Sequence, residues 1–479
     1  MLDKKFIDRE DEIKALKERL NSGKPEFLVI YGKRRVGKTE LVKQALKDAP
    51  HIYLLCDRRR DSDMLKEFSM EVGRFFGDIG VSSVGLPDWV TLFRYLKEKV
   101  GEKKVPIVVD EFPFLVSANR AMPSIFQKGW DEYLQHADIF LILCGSSISM
   151  MEKGVLSYRS PLYGRRTGQL FLQPLKFNDA RKFFPRKGLD EQIEFHAVLG
   201  GTPAYLLQFS EEMSLIENIR ERVLRRDAFL YNEVEFVLRE ELKEPRKYFT
   251  ILKEIAFGKS KLNDISQATG IERGILSRYL SILEDLRVIR RSVPVTEKHP
   301  HKSRKGIYEI EDNFFKFWFE FVFPNRSYIE RGEPELVLKK IVEGFDAFVG
   351  HVFEEICSEA LWGMLKLGKA PFTFTKLGKW WSKEDEIDIV ALNEQTKEIL
   401  FAECKWQEKP IGVDVVEGLF KKRDTVDWQK GRREHFIIFS KSGFKKSCSE
   451  YCERAGVLTL NLDDLRRLFG EVQTPAADQ

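Results

Sequence analysis

Gly32-Lys33-Arg34-Arg35-Val36-Gly37-Lys38-Thr39 is a complete G-x-x-x-x-G-K-[ST], a spacing suited to holding phosphate. Glycines let backbone N–H groups turn inward, Lys38 reaches the β- and γ-phosphate oxygens, and the Thr39 hydroxyl ligates Mg²⁺. A helix that starts at the end of the loop adds its positive dipole end. A second polar set follows Val105-Pro106-Ile107-Val108-Val109, where the apolar run delivers Asp110 and Glu111. Asp110 suits an outer-sphere hold on Mg²⁺, and Glu111 suits orienting or deprotonating an attacking water. Ser146, at the tip of the run Ile139–Cys144, has two readings: a sensor of the γ-phosphate or a cap on the next helix. Arg165 and Arg166 are likewise either a source of transition-state charge stabilisation, in cis or from a neighbouring subunit, or a surface pair.

Near the C-terminus, Glu386-Ile387-Asp388-Ile389-Val390-Ala391 alternates as a strand, Asn393–Thr396 makes a turn, and Ile399–Lys405 returns. The period of two puts Glu403 and Lys405 on one face of the sheet. Asp388 and Glu403 then offer hard oxygens to a divalent metal, with Lys405 placed to position water or stabilise developing charge.

These residues need elements to hold them. Phe27-Leu28-Val29-Ile30 reads as a buried strand ending at Tyr31, and Leu41, Val42, Ala45 and Leu46 mark the helix after the loop. His51–Cys56 and Ile139–Cys144 are further strands, so the first segment is a parallel α/β sheet with ligands at the C-terminal strand ends. Phe6–Leu20 predicts an amphipathic helix with Asp8 as its N-cap. From Tyr248 to Ile289 the pattern becomes helix, glycine turn, helix, with Leu262, Ile265 and Ala268 apolar on the first and Ile275, Leu276, Leu280, Leu283 and Leu286 on the second. This helix-turn-helix would face a DNA groove with Arg273, Ser277 and Arg278, and the segment after it would form a basic wing through Lys302, Arg304 and Lys305. A module used purely for packing is the other reading. Asp312–Phe319 is densely aromatic, either a platform for bases or an apolar helix seating its neighbours, and Gly332-Glu333-Pro334 reads as a hinge.

Together FIDREDEI, GKRRVGKT, VVDEF, the GSS strand tip, SPLYGRRTGQLFLQPL and GGTPAYLL resemble the archaeal-type ATPase family, a branch of the AAA-like and STAND P-loop ATPases, over roughly residues 3–235. The resemblance implies an ATP-driven core and a helical lid starting near Phe177, with Gly200-Gly201-Thr202-Pro203 as its turn. About residues 345–440 resemble the restriction-endonuclease-like PD-(D/E)xK core and the domain of unknown function that travels with archaeal ATPases. That resemblance maps the helix glutamate onto Glu354 and the D…ExK positions onto Asp388, Glu403 and Lys405, with Glu386-Ile387-Asp388 in place of a Pro-Asp.

The chain has 479 residues, of which 32% are charged, with a net charge of +4, so a nucleic-acid surface must be local. Six scattered cysteines and the lack of any long apolar run predict a cytoplasmic protein with no membrane segment. The expected architecture is α/β: a P-loop ATPase core (1–175), a helical lid (176–240), a winged helix (241–330) and a nuclease-like α/β domain (336–479). The expected function is an ATPase acting on DNA, using ATP and Mg²⁺, with Mg²⁺-dependent DNA cleavage by the last domain and self-association through the core. The alternative is a nucleotide-gated switch or assembly protein whose nuclease-like domain is silent.

Overall fold

The computed structural model describes residues 6–101, 103–242 and 244–472, and they form two compact units. The first ends at Pro174 and includes Thr202–Ala204, and the second takes Leu175–Gly201 and the described residues from Tyr205 onward.

In the first unit α1 (Glu10–Leu20), β1 (Glu26–Tyr31), α2 (Lys38–Ala45), β2 (Ile52–Leu55), β3 (Val105–Asp110), α3 (Phe112–Ala118), β4 (Ile139–Gly145) and β5 (Gly168–Phe171) frame the sheet, with further helices between β2 and β3 and around β4. The strand order is β2-β3-β4-β1-β5 and every pairing is parallel. Helices cover both faces, so β1 is apolar at consecutive positions. Phe27 and Val29 enter one core cluster while Leu28 and Ile30 enter the other, with Leu16, Leu41 and Val42. The helix expected from Phe6 with an Asp8 cap begins instead at Glu10. Asp8 and Arg9 both take left-handed backbone (φ 63° and 76°), so no side chain caps that end. Arg9 is turned inward, donating to the Gln173 carbonyl at 2.6 Å and to the Val36 carbonyl of the loop at 3.5 Å.

The second unit contains α4 (Leu189–Leu199), α5 (Pro245–Ala256), α6 (Leu262–Thr269), α7 (Arg273–Asp285), β6 (Ile289–Ser292), β7 (Ile307–Ile310), α8 (Asn313–Phe317) and α9 (Pro334–Lys366). After them come β8 (Lys376–Trp381), β9 (Glu386–Asn393), β10 (Glu398–Lys405), α10 (Val413–Asp424), β11 (Arg433–Ser440), β12 (Val457–Asn461) and α11 (Leu462–Val472). Gly270, at φ 67°, makes the turn between α6 and α7, and β6 and β7 pair antiparallel. The C-terminal sheet runs β12-β11-β10-β9-β8; β8, β9 and β10 pair antiparallel, and β10, β11 and β12 pair parallel.

One apolar core runs from Leu175 through the helices of residues 205–290 and α9 to Phe469. The aromatic run belongs to it: Phe314, Phe317, Trp318 and Phe319 are fully buried, and the Trp318 indole N–H donates to the Tyr231 carbonyl at 2.7 Å. Packing, not base stacking, is its role. The Glu359 carboxylate on α9 accepts the Phe177 and Asn178 backbone N–H groups, each at 2.9 Å, which ties the start of the expected lid to the C-terminal half. Of the expected hinge, Gly332 takes left-handed backbone (φ 82°) and Pro334 opens a helix of 33 residues. Among the described residues no helix is long and apolar enough to cross a membrane.

Candidate functional site

The loop Gly32–Thr39 leaves β1 and enters α2, as a phosphate cradle requires. At Gly32 an added Cβ would lie 2.2 Å from the Leu172 carbonyl oxygen, so no larger residue fits against that backbone. Gly37 has φ 95° and open space beside it. Lys38, 6% exposed, donates to the Gly32 and Lys33 carbonyls, both at 2.9 Å, which curls the loop around its own ammonium. Burial pulls the Lys38 pKa below its ordinary value, opposed by the nearby Glu111 and Asp110 carboxylates.

Asp110 ends β3 beside the loop and is 1% exposed. Its Oδ2 accepts the Thr39 hydroxyl at 2.7 Å and the Tyr53 hydroxyl at 2.6 Å, and its Oδ1 accepts the Glu111 N–H at 2.9 Å. Tyr53, on the neighbouring strand β2, escaped the sequence reading. Burial first, then the hydrogen bond to Asp110, pushes its phenol well above the ordinary pKa. Glu111 stands in left-handed backbone (φ 54°), and its Oε2 accepts the Ser146 hydroxyl at 2.8 Å and the Ser146 N–H at 3.3 Å. The structure thus brings Lys38, Thr39, Asp110, Glu111 and Ser146 together at the C-terminal ends of β1, β3 and β4. A hydroxyl and a carboxylate side by side are hard oxygen donors, and the loop is shaped for phosphates, so these residues fit ATP with Mg²⁺. Replacing Ser146 by alanine is expected to lower turnover roughly fivefold, the loss of one hydrogen bond of about 1 kcal/mol, with ATP affinity unchanged. Unchanged phosphate release would leave Ser146 as a strand-end cap only.

The arginine pair divides. Arg165 is held by Asp131, Nη2 to Oδ2 at 3.1 Å. Arg166 lies over the Tyr163 ring with its Nη1 buried and, among the described residues, without a hydrogen-bond partner.

On α7, Arg273, Ser277 and Arg278 are exposed while Leu276, Leu280 and Leu283 are buried. Ile275, expected on the apolar face, is instead 50% exposed. Lys302, Arg304 and Lys305 are exposed in the connection between β6 and β7, although Lys305 pairs with Glu297 at 2.8 Å. That connection is anchored to β8: the Val295 N–H donates to the Lys379 carbonyl at 2.9 Å and the Trp381 indole to the Lys305 carbonyl at 3.1 Å.

In the C-terminal sheet the β8–β9 register moves from Gly378 opposite Val390 to Trp380 opposite Ile387, an extra residue on β9 at Asp388–Ile389. Such a bulge re-aims a side chain. Asp388 Oδ2 accepts the Cys404 N–H at 2.8 Å and lies 3.8 Å from Lys405 Nζ. Lys405 donates to Glu403 Oε2 at 2.6 Å, and Lys422 of α10 donates to Glu403 Oε1 at 2.6 Å. Glu354 of α9 lies 2.5 Å from Lys379 Nζ. Burial, then the Glu403 and Glu354 charges, pushes the Asp388 carboxyl up to about 7. Burial also works against the Glu354 charge, but the His351 hydrogen bond and the Lys379 ammonium outweigh it and leave that pKa lowered. Lys379 and Lys422 were not read from the sequence, and they change the site. The expected metal ligands Glu354, Asp388 and Glu403 each meet a lysine, and among the described residues no three His, Cys, Asp or Glu are gathered as a metal ion would need. The donor set does not fit a divalent ion. Glu354, Asp388 and Lys379 also line a cavity of about 650 Å³ with Arg290, Glu309 and Trp362.

Residues 6–209 match the family described as an ATPase domain predominantly from Archaea. Residues 318–419 match a family of archaeal and bacterial proteins of unknown function, and 190–308 match a domain of unknown function. The chain is similar to the uncharacterized protein MJECL04 of Methanocaldococcus jannaschii, 40% identical over 444 residues, which are 92% of this chain and 97% of that one. Among solved structures it is similar to the Walker-type ATPase PABY2304 of Pyrococcus abyssi, with a TM-score of 0.49 and 21% identity, over 66% of this chain and 96% of that one. The ORC2 protein of Aeropyrum pernix, solved in ADPNP–ADP complexes, gives a TM-score of 0.39 and 16% identity, over 72% of this chain and 98% of its own.

Proposed function

The chain belongs to the family built on the ATPase domain found predominantly in Archaea, and from that premise we propose that it is an ATPase acting on DNA. The observation that carries the nucleotide half is the meeting of Lys38, Thr39, Asp110 and Glu111 around one loop. Lys38 would hold the β- and γ-phosphates, and the Glu111 carboxylate would orient the attacking water and take its proton. Thr39 and Asp110 would hold Mg²⁺, which neutralises charge on the phosphate oxygens when bound. With Arg165 engaged by Asp131, Arg166 is the arginine left to meet a phosphate, in cis or from a second copy associated through the core.

The DNA half rests on α7. Its exposed Arg273, Ser277 and Arg278, and the exposed Lys302 and Arg304 of a segment anchored to β8, support a winged helix over about 241–330 that holds phosphates. The functional modules proposed are the core (1–175), the lid (176–240), this winged helix and the nuclease-like segment (336–479). Of cutting DNA with Mg²⁺ or engaging it silently, the lysine pairing of Glu354 and Glu403 supports the second for the last module.

The deciding experiment measures phosphate release by the full chain with Mg²⁺, with and without duplex and single-stranded DNA. Stimulation by DNA is expected, and a chain that neither binds DNA nor responds to it would leave a nucleotide-gated switch. Neutralising Lys302, Arg304 and Lys305 together is expected to flatten the salt dependence of DNA binding by about 0.9 in log–log slope per lost phosphate contact. An unchanged slope would remove these residues from the interface.

A further inference from the structure

The carboxylates of the C-terminal sheet follow a nuclease-like order in sequence but not in charge. Three acids, Glu354, Asp388 and Glu403, stand against three lysines, Lys379, Lys405 and Lys422. A divalent ion held by two or three carboxylates needs a local excess of negative charge and oxygens free to face it. Here lysines offset much of that excess, with Lys379 shared between Glu354 and Glu309 of β7. The two oxygens of Glu403, a residue 2% exposed, each take a different ammonium at 2.6 Å, Glu354 meets a third at 2.5 Å, and Asp388 Oδ2 accepts a backbone N–H. An ion entering this cluster would have to displace ammonium groups that are themselves partly buried, with side chains 20–32% exposed.

We propose that this cluster is a metal-independent ion-pair lock, in which Lys379 and Lys422 supply the positive charge that a divalent ion would bring. Glu354 and Lys379 pair α9 with β8, and Asp388, Glu403, Lys405 and Lys422 tie β9, β10 and α10 together, with the Glu354 charge felt at Asp388. It stands on this geometry whether or not the chain meets DNA, and it accounts for a bulge that turns Asp388 toward the Cys404 N–H and the Lys405 ammonium.

The test titrates Mn²⁺ into nucleotide-free full-length protein, read by electron paramagnetic resonance and by thermal unfolding in Mn²⁺ or in chelator. The native chain is expected to bind no stoichiometric Mn²⁺ at submillimolar concentration and to melt at one temperature in both buffers. Lys379→Met with Lys422→Met keeps the aliphatic stems and strips the charge. That variant is expected to melt several degrees lower in chelator and to regain the loss in Mn²⁺, because three acids then face Lys405 alone. Should it fail to fold, Glu403→Gln serves: it is expected to lower the melting temperature equally with and without Mn²⁺. One Mn²⁺ per native chain, lost in both Asp388→Asn and Glu403→Gln, overturns the lock, as does a double lysine variant that melts like the native chain in chelator.

Discussion

Lys38→Ala is expected to abolish tight ATP binding and with it hydrolysis, whereas Glu111→Gln keeps binding and stops turnover. The two differ because the residues serve at different moments. The Lys38 ammonium is buried and donates to the Gly32 and Lys33 carbonyls of the loop, both at 2.9 Å. Alanine removes the charge that phosphate would meet and the donor that shapes the loop, so the ground-state complex fails. Glu111 is positioned by Asp110 and Ser146 at the end of β3, and its amide would keep the size and the Ser146 contact of the carboxylate. What it would lose is the proton acceptance proposed for it, a step whose removal costs about 10²–10⁴-fold in rate. Binding followed with a fluorescent nucleotide and turnover followed by phosphate release separate the two. Near-normal hydrolysis by Glu111→Gln would take that residue out of the role.

Trp318→Ala is expected to destabilise the second unit by about 3–5 kcal/mol, the usual cost of emptying a large buried aromatic site. Trp318 is fully buried, stacks on Phe323 at 5.2 Å between ring centroids, and donates its indole N–H to Tyr231 at 2.7 Å. Removing it therefore leaves both a cavity and an unpaired carbonyl. Trp362→Ala is the control: that ring is 41% exposed, and its loss should cost much less. Denaturant unfolding checks both, and equal effects would mean that burial does not set the ranking.

The nucleotide site was legible because its grammar is local. An apolar strand, a glycine loop and a helix lie within a few residues of one another, and the β3 carboxylates announce themselves at a strand end. Tyr53 was not legible because its partner, Asp110, lies 57 residues away and meets it only when β2 pairs with β3. The aromatic run gave two readings because a buried Phe-Trp helix and a stacking platform share a composition, and burial alone separates them. Asp8 looked like a cap by residue type, but left-handed backbone at Asp8 and Arg9 turns Arg9 inward to the loop. In the C-terminal sheet the order Glu354, Asp388, Glu403, Lys405 was visible, while Lys379 and Lys422 sit in ordinary basic stretches. Only tertiary pairing at 2.5 and 2.6 Å shows that they neutralise those acids.

The 33-residue helix α9 bears on how genes of this kind could be recombined. Its first half buries Val337, Leu338, Ile341 and Phe348, with Phe348 packed on Phe317 and Phe321, and its second half buries Phe353, Ile356 and Cys357 in the same core. A crossover at codon 336 would divide no independent modules. The downstream piece would expose an apolar stripe and clump, and the upstream piece would lose the α9 side chains that cover its aromatic run. Viable exchange between such genes would have to carry α9 together with both of its neighbourhoods, so the C-terminal half would be inherited with the helices before it and not as a detachable cassette.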